Sequence, residues 1–212
     1  MEPFTSLTAI AVPYYHADMD TDRIIPHRFL RKPLSAGYRN FLFYDERLTP
    51  DGQERPEFIL NREPYRRARI LVAGRNFGCG SAREGAVFAL QDWGFRAVIA
   101  PSFAEFFKEN CLQNGVLPVA LEEETVAGIV RGMESDPERP VSIDLPAQIV
   151  VAPGGQRHRF EINPTRKEQL LKGLDDIGYT TQRARELKDF EEEYFRRVPW
   201  LRPGESVSDA GG

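Results

Sequence analysis

RILVAGRNFGCGSAREGAVFALQDWG, residues 69–94, decides how this chain folds. Its first part, Arg69-Ile70-Leu71-Val72-Ala73, is a short apolar, partly β-branched run closed by a glycine, too short for a helix, and it predicts a buried strand. Gly74, Gly78 and Gly80 follow, residues that permit positive φ and let backbone approach a ligand with no Cβ in the way. From Ala82 onward, Ala86, Phe88, Ala89, Leu90 and Trp93 recur at roughly helical spacing, with Ser81 placed for an N-cap and Gly94 for a stop. The unit is strand, glycine loop, helix. A helix N-terminus reached through a glycine loop offers unpaired N–H groups and a positive dipole end, which suits an anion. Capping alone explains Ser81, and solvation alone explains Arg83. The close grouping of three glycines, a hydroxyl and a guanidinium exceeds what capping requires. Two nucleotide motifs are excluded: a P-loop needs Gly-Lys-Ser/Thr where this loop has Gly-Ser-Ala-Arg, and a dinucleotide fingerprint needs glycine in place of Arg83.

Outward from this unit, Ala97-Val98-Ile99-Ala100 predicts a second buried strand. Residues 102–114 predict a helix with Ser102 as N-cap and Phe103, Phe106, Phe107 and Cys111 facing inward. Strand, helix, strand and helix in this order imply a parallel βαβ centre of right-handed crossover. Upstream, residues 6–13 predict one strand ended by Pro13. Asp18, Asp20 and Asp22 alternate as in a calcium loop, but the glycine and distal glutamate of that pattern are absent, so a turn built on Asx hydrogen bonds is expected and no metal site. Residues 27–47 mix arginines with aromatic side chains, and residues 48–68 are polar and proline-rich, a surface excursion with a turn at 49–53. Downstream come an acidic helix over 121–136, short strands at 141–145, 148–151 and 158–162, a helix opened by Asn163-Pro164, and a charged helix over 180–197. His158 reads as a surface strand residue. One domain over 1–203 with a disordered polar tail at 204–212 is the simplest organisation.

The 212 residues carry a formal net charge of −4, with no basic stripe for nucleic acid and no polybasic or transmembrane segment. The N-terminus lacks the basic and apolar regions of a signal peptide, so a cytoplasmic protein is expected. Cys79 and Cys111 are the two cysteines; they make neither a disulfide framework nor a ligand set for an iron–sulfur cluster, and Cys79, with no histidine near it in sequence, reads as a small loop residue rather than a nucleophile.

Asn76-Phe77-Gly78-Cys79-Gly80-Ser81-Ala82-Arg83-Glu84 resembles the NFGCGSSRE motif of the small subunits of 3-isopropylmalate dehydratase, which are related to the swivelling C-terminal domain of aconitase. Asp20-Thr21-Asp22-Arg23-Ile24-Ile25-Pro26 is similar to that family's DTDxIIP, Phe41-Leu42-Phe43-Tyr44-Asp45 to its FLFYD, Gly94 to Ala104 to GFRAVIAPSFA, and Asn114-Gly115-Val116-Leu117-Pro118 to NGLLP, in the family's order over about residues 5 to 120. The resemblance implies an α/β fold of the swivelling β/β/α layered type. It implies an isomerase of leucine biosynthesis that moves a hydroxyl between neighbouring carbons of a malate derivative by dehydration and rehydration. A large subunit would carry a 4Fe–4S cluster, this chain would bind no cofactor, and alone it would be inactive. By the same resemblance Ser81 is the general base and Asp22 a second catalytic residue supported by Thr21; Gly80, Ala82 and Arg83 hold a substrate carboxylate; and either Arg31 or Lys32 pairs with one. Two positions depart from the motif: Ala82 replaces a serine and Gly85 a histidine. These leave room for a related hydro-lyase acting on a methylmalate, methylcitrate or homoaconitate-type diacid, or for a non-catalytic anion-binding partner module.

Overall fold

The computed structural model describes residues 1–182 and 184–201. In chain order the elements are β1 (Ser6–Ala9), β2 (Ala11–Tyr14), α1 (Thr21–Ile24), α2 (Tyr44–Arg47), β3 (Ile70–Ala73), α3 (Gly85–Trp93), β4 (Ala97–Ala100), α4 (Glu105–Gln113), β5 (Leu117–Ala120), α5 (Glu123–Ser135), β6 (Val141–Asp144), β7 (Ile149–Val151), β8 (Arg157–Arg159), α6 (Pro164–Lys172), α7 (Asp176–Thr181) and α8 (Ala184–Arg197). Residues Met1–Asp175 form one compact unit and a second begins at Asp176, carrying α7 and α8. The tail expected at 204–212 lies outside the described residues.

Two four-stranded sheets build the first unit. One is parallel in the order β2-β3-β4-β5, with Ile70 opposite Ala97 and Ala97 opposite Leu117; the other is antiparallel in the order β1-β6-β7-β8. Every residue of β3 and β4 is buried, as a parallel strand covered on both faces requires. Alternation sorts their side chains. Leu71, Ala73, Val98 and Ala100 pack with Ala86, Val87, Ala89 and Leu90 of α3 and Phe107 and Cys111 of α4. Ile70, Val72, Ala97 and Ile99 pack with Val126, Ile129 and Met133 of α5 and with Leu7, Val141, Ile143 and Val150 of the antiparallel sheet. The fold is therefore α/β and layered around a parallel βαβ centre.

Four local features differ from the sequence-based expectation. Residues 6–13 are not one strand but two, β1 and the start of β2, which enter different sheets; Pro13 lies within β2, tolerated because β2 is an edge strand. α3 begins at Gly85 with Glu84 as N-cap, and α4 at Glu105 with Ala104 as N-cap, so neither Ser81 nor Ser102 caps a helix. Phe106 is 72% exposed, because the inward stripe of α4 is set by Phe107 and Cys111, one turn apart, and its neighbour Phe106 points about 100° away. Residues 48–68 are more than a surface excursion: Phe58 and Leu60 are buried, and Asn61 donates from Nδ2 to the Arg47 and Arg55 carbonyls, both at 2.8 Å. Asn163 caps α6 as expected, accepting from the Thr165 and Arg166 amides. No helix among the described residues is long and apolar enough to cross a membrane.

Candidate active site

The C-terminal ends of β2, β3 and β4 deliver three segments to one edge of the parallel sheet, residues 18–22, 74–84 and 101–104, where ligands of open α/β sheets bind. The glycine loop is fastened from both sides. Gly78 N donates to the Met19 carbonyl at 2.9 Å, Thr21 N to the Cys79 carbonyl at 2.7 Å, and Phe77 N to the Ser102 carbonyl at 3.0 Å. Asn76 N donates to Ser102 Oγ at 2.8 Å, and Asn76 Nδ2 to Asp18 at 2.8 Å. Gly78 and Gly80 are needed where they stand. Both have positive φ, 77° and 102°, and a Cβ would lie 2.1 Å from the Phe107 ring at Gly78 and 2.5 Å from an Asp20 carboxylate oxygen at Gly80.

This fastening brings the candidate residues together. Ser81 N donates to Thr21 Oγ1 at 2.9 Å, so the DTD turn and the glycine loop share a hydrogen bond at their tips, and Asp22 follows Thr21 directly. Asp22 is exposed in the first turn of α1; its amide, not its carboxylate, is used by the fold, donating to Asp20 Oδ1 at 2.7 Å in the expected Asx turn. Arg83 folds back so that Nε donates to Ser81 Oγ at 3.0 Å, and its guanidinium makes no ion pair among the described residues. The Gly80 and Ala82 amides have no protein acceptor among the described residues, leaving two N–H donors on the backbone either side of Ser81. Ser81 lies four residues ahead of α3, so the helix dipole does not end on it; positive potential at Ser81 Oγ comes from Arg83. Residues 81–84 cannot join the helix because distant side chains hold them: Thr21 takes the Ser81 amide, Asn110 donates to the Ala82 carbonyl at 2.9 Å, and Asn114 to Glu84 Oε1 at 3.0 Å.

Arg31 and Lys32 are both exposed and without an ion pair among the described residues, and neither is singled out. Their segment packs on the start of α3: Leu30 Cδ2 lies 2.4 Å from where a Cβ of Gly85 would be, and Tyr38, which lies 3.6 Å from the same point, donates from Oη to the Lys32 carbonyl at 2.9 Å. Leu30 thus occupies the space that a larger residue at position 85 needs. Cys79 is half-buried, and burial, then the Asp20 and Asp18 carboxylates, pushes its thiol up, away from thiolate chemistry. Cys111 is fully buried and is pushed up further. Among the described residues no group of three or more His, Cys, Asp or Glu could hold a metal ion.

Sequence reasoning missed the supports of the loop: the wall that Asp20 sets against Gly80, and Asn110, Asn114 and Ser102. Asn110 on α4 and Asn114 at its C-cap stand four residues apart, one turn along the same face, and that amide pair was the available signal.

Fold and site define a class: the parallel sheet, the DTD turn and the fastened glycine loop are those of an aconitase C-terminal domain, and the family description of that domain matches residues 1–124, followed by that of LeuD_N over residues 131–164. The chain is 47% identical over 201 residues to the 3-isopropylmalate dehydratase small subunit of Paramagnetospirillum magneticum, covering 95% of this chain and 100% of that one. It is 48% identical to the small subunit of Phenylobacterium zucineum, covering 95% and 98%. The crystal structure of 3-isopropylmalate dehydratase (leuD) from Methanocaldococcus jannaschii superimposes with a TM-score of 0.61 at 26% identity, covering 88% of this chain and 99% of that one. The chain belongs to the 3-isopropylmalate dehydratase small-subunit family.

Proposed function

We propose that this chain supplies one wall of the active site of a 3-isopropylmalate dehydratase, with Ser81 as the general base and Arg83, Gly80 N–H and Ala82 N–H as the carboxylate cradle. The observation that carries this is the 3.0 Å contact from Arg83 Nε to Ser81 Oγ. A serine hydroxyl is far too weak an acid to lose its proton near neutral pH, and a guanidinium donating to that oxygen favours the alkoxide. The Ser81 amide is fixed by Thr21, so Oγ is held at the rim rather than swinging with the loop. The substrate is a small dicarboxylate. One carboxylate lies on the two free amides and the outer nitrogens of Arg83, its α-proton facing Ser81 Oγ. Asp22 projects from the adjoining turn and accepts a hydrogen bond from the substrate hydroxyl. Arg31 or Lys32 meets the second carboxylate.

Asp22, Arg83, Arg31 and Lys32 are exposed and Ser81 is half-buried, which fits a half-site that a second chain completes. We assign that role to the large subunit, and place the 4Fe–4S cluster there too, since Cys79 and Cys111 are far too few to ligate it and one of them is core. The two free thiols fit a cytoplasmic protein, and the unit Met1–Asp175, which carries every candidate residue, is the part we assign to the swivelling domain expected over 1–203.

The specific substrate rests on the departures at positions 82 and 85. Ala82 keeps its N–H but has no hydroxyl to offer, and Leu30 packs against Gly85. The test is anaerobic mixing of this chain with its cluster-loaded large subunit, following absorbance of the alkene intermediate from 2- and 3-isopropylmalate. Turnover in the mixture and in neither chain alone is expected. Turnover only of a methylmalate, methylcitrate or homoaconitate-type acid shifts the assignment to a related hydro-lyase, and an assembled pair with no turnover of any of them leaves an anion-binding partner module.

A further inference from the structure

We propose that Glu46 is a positioning residue for the reaction, acting through Arg23 on Asp22; this rests on the assignment of Asp22 above. α1, which carries Thr21 and Asp22, has only four residues, too few to hold a helix by its own hydrogen bonds, so outside contacts set its orientation. Its backbone is tied at the inner side: Thr21 N to the Cys79 carbonyl at 2.7 Å, and Phe43 N to the Ile24 carbonyl at 2.7 Å. Its outer side has one ion pair among the described residues. Arg23 Nε donates to Glu46 Oε1 at 2.7 Å and Nη2 to Oε2 at 3.3 Å, a two-point contact that fixes rotation as well as distance. Glu46, on α2, also accepts from Tyr14 Oη, and Tyr14 ends β2 of the parallel sheet.

A chain of polar contacts therefore runs from the sheet edge through Tyr14 and Glu46 to Arg23, and Asp22 is the residue before Arg23 on the same short helix. The groups stay in the protonation states this needs. Burial raises Tyr14, with Glu46 adding to it, so the phenol keeps its proton and donates. Burial pushes the Glu46 carboxyl up, but hydrogen bonds from Arg23 and Tyr14 outweigh it and hold the group ionised, below its ordinary value. With Tyr14, Arg23 and His16 around it, Glu46 is kept at a fixed charge across the neutral range. None of the three side chains enters the carboxylate cradle, so their effect on the reaction passes through the placement of α1.

The test is a double-mutant cycle in the reconstituted, cluster-loaded pair. Glu46→Gln, which keeps shape and the Tyr14 contact but loses the charge-assisted fork, is expected to lower kcat about tenfold with KM within about twofold, since a displacement of about 1 Å at a reacting group costs up to about a hundredfold. In an Asp22→Asn background Glu46→Gln should have no further effect on kcat. Arg23→Gln, a change at an exposed side chain that leaves the core intact, should reproduce the kcat loss, and Arg23→Lys should recover part of it; these two variants carry the test if Glu46→Gln does not fold. Full kcat in Glu46→Gln and Arg23→Gln, with Asp22→Asn impaired, overturns the positioning role while leaving Asp22 catalytic. The same fold-loss from Glu46→Gln with and without Asp22 reveals a merely structural effect and also overturns it. Wild-type kcat in Asp22→Asn removes the catalytic assignment of Asp22 itself, and the positioning role with it.

Discussion

The proposed function gives Arg83 two tasks at one site, and its shape is what permits both. Nε is spent on Ser81 Oγ at 3.0 Å, while the two terminal nitrogens make no ion pair among the described residues and are the donors the proposal assigns to the carboxylate. A lysine has one compact ammonium that cannot reach both. Arg83→Lys is therefore expected to lower kcat and raise KM together, reducing kcat/KM by roughly tenfold to a hundredfold, about 1.4 kcal/mol for each factor of ten; steady-state kinetics of the reconstituted pair reads it, and an unchanged kcat would show that the charge alone suffices. At this scale the sequence brought the proposed site residues into view and misled about local cause. Asn76 to Glu84 suggested an anion loop through the density of its glycines and a guanidinium, the reading the proposed function carries forward. The helix dipole expected at Ser81 is absent, since whether a serine caps depends on where the helix hydrogen bonds begin, and Glu84, not Ser81, accepts the first of them from Phe88 at 3.0 Å. Thr21, Asn110 and Asn114 decide that, and they lie far from Ser81 in sequence.

Strands β3 and β4 could be read directly from residues 69–73 and 97–100, because a parallel strand buried on both faces is a continuous apolar run bounded by turn residues. β1 and β2 could not be separated, since one residue, Ile10, lies between them and the change of sheet is a tertiary event. The start of α3 belongs to the same class. Glycine at a first helical position costs about 1 kcal/mol relative to alanine, and the compensation is packing: Leu30 Cδ2 stands 2.4 Å from the missing Cβ. Gly85→Ala is therefore expected to destabilise the chain in urea, against the helix preference of alanine, and to stabilise it in a Leu30→Ala background. The coupling between the two positions should fall in the range of about 0.5–3 kcal/mol found for contacting side chains. Equal stabilisation in both backgrounds would mean that Leu30 yields at no cost and does not account for the glycine.

The unit Met1–Asp175 presents its candidate residues on an open edge of the parallel sheet, fastened from behind by the DTD turn, the segment after β4 and the asparagines of α4. Such a surface is tied where it holds Ser81 and exposed at Arg83 and Asp22, an arrangement that suits the proposed subunit closing over a reaction centre carried by another chain. The proposed division of labour draws on a shortage in the sequence, two cysteines where a cluster needs more. The layering of the two sheets was not legible there, because strands of three residues such as β7 and β8 are too short to show which sheet they join and acquire their place by pairing, β7 with β6 and β8 with β7. The most direct measurement of the central claim is turnover of 3-isopropylmalate by the cluster-loaded large subunit mixed with this chain or with its Ser81→Ala variant, assembly of both pairs being checked by size-exclusion chromatography. A fall in kcat of about a hundredfold or more, the scale of a lost general base, with assembly intact, is the predicted result. Near-normal turnover by the assembled Ser81→Ala pair would contradict it and remove Ser81 from the proton transfer.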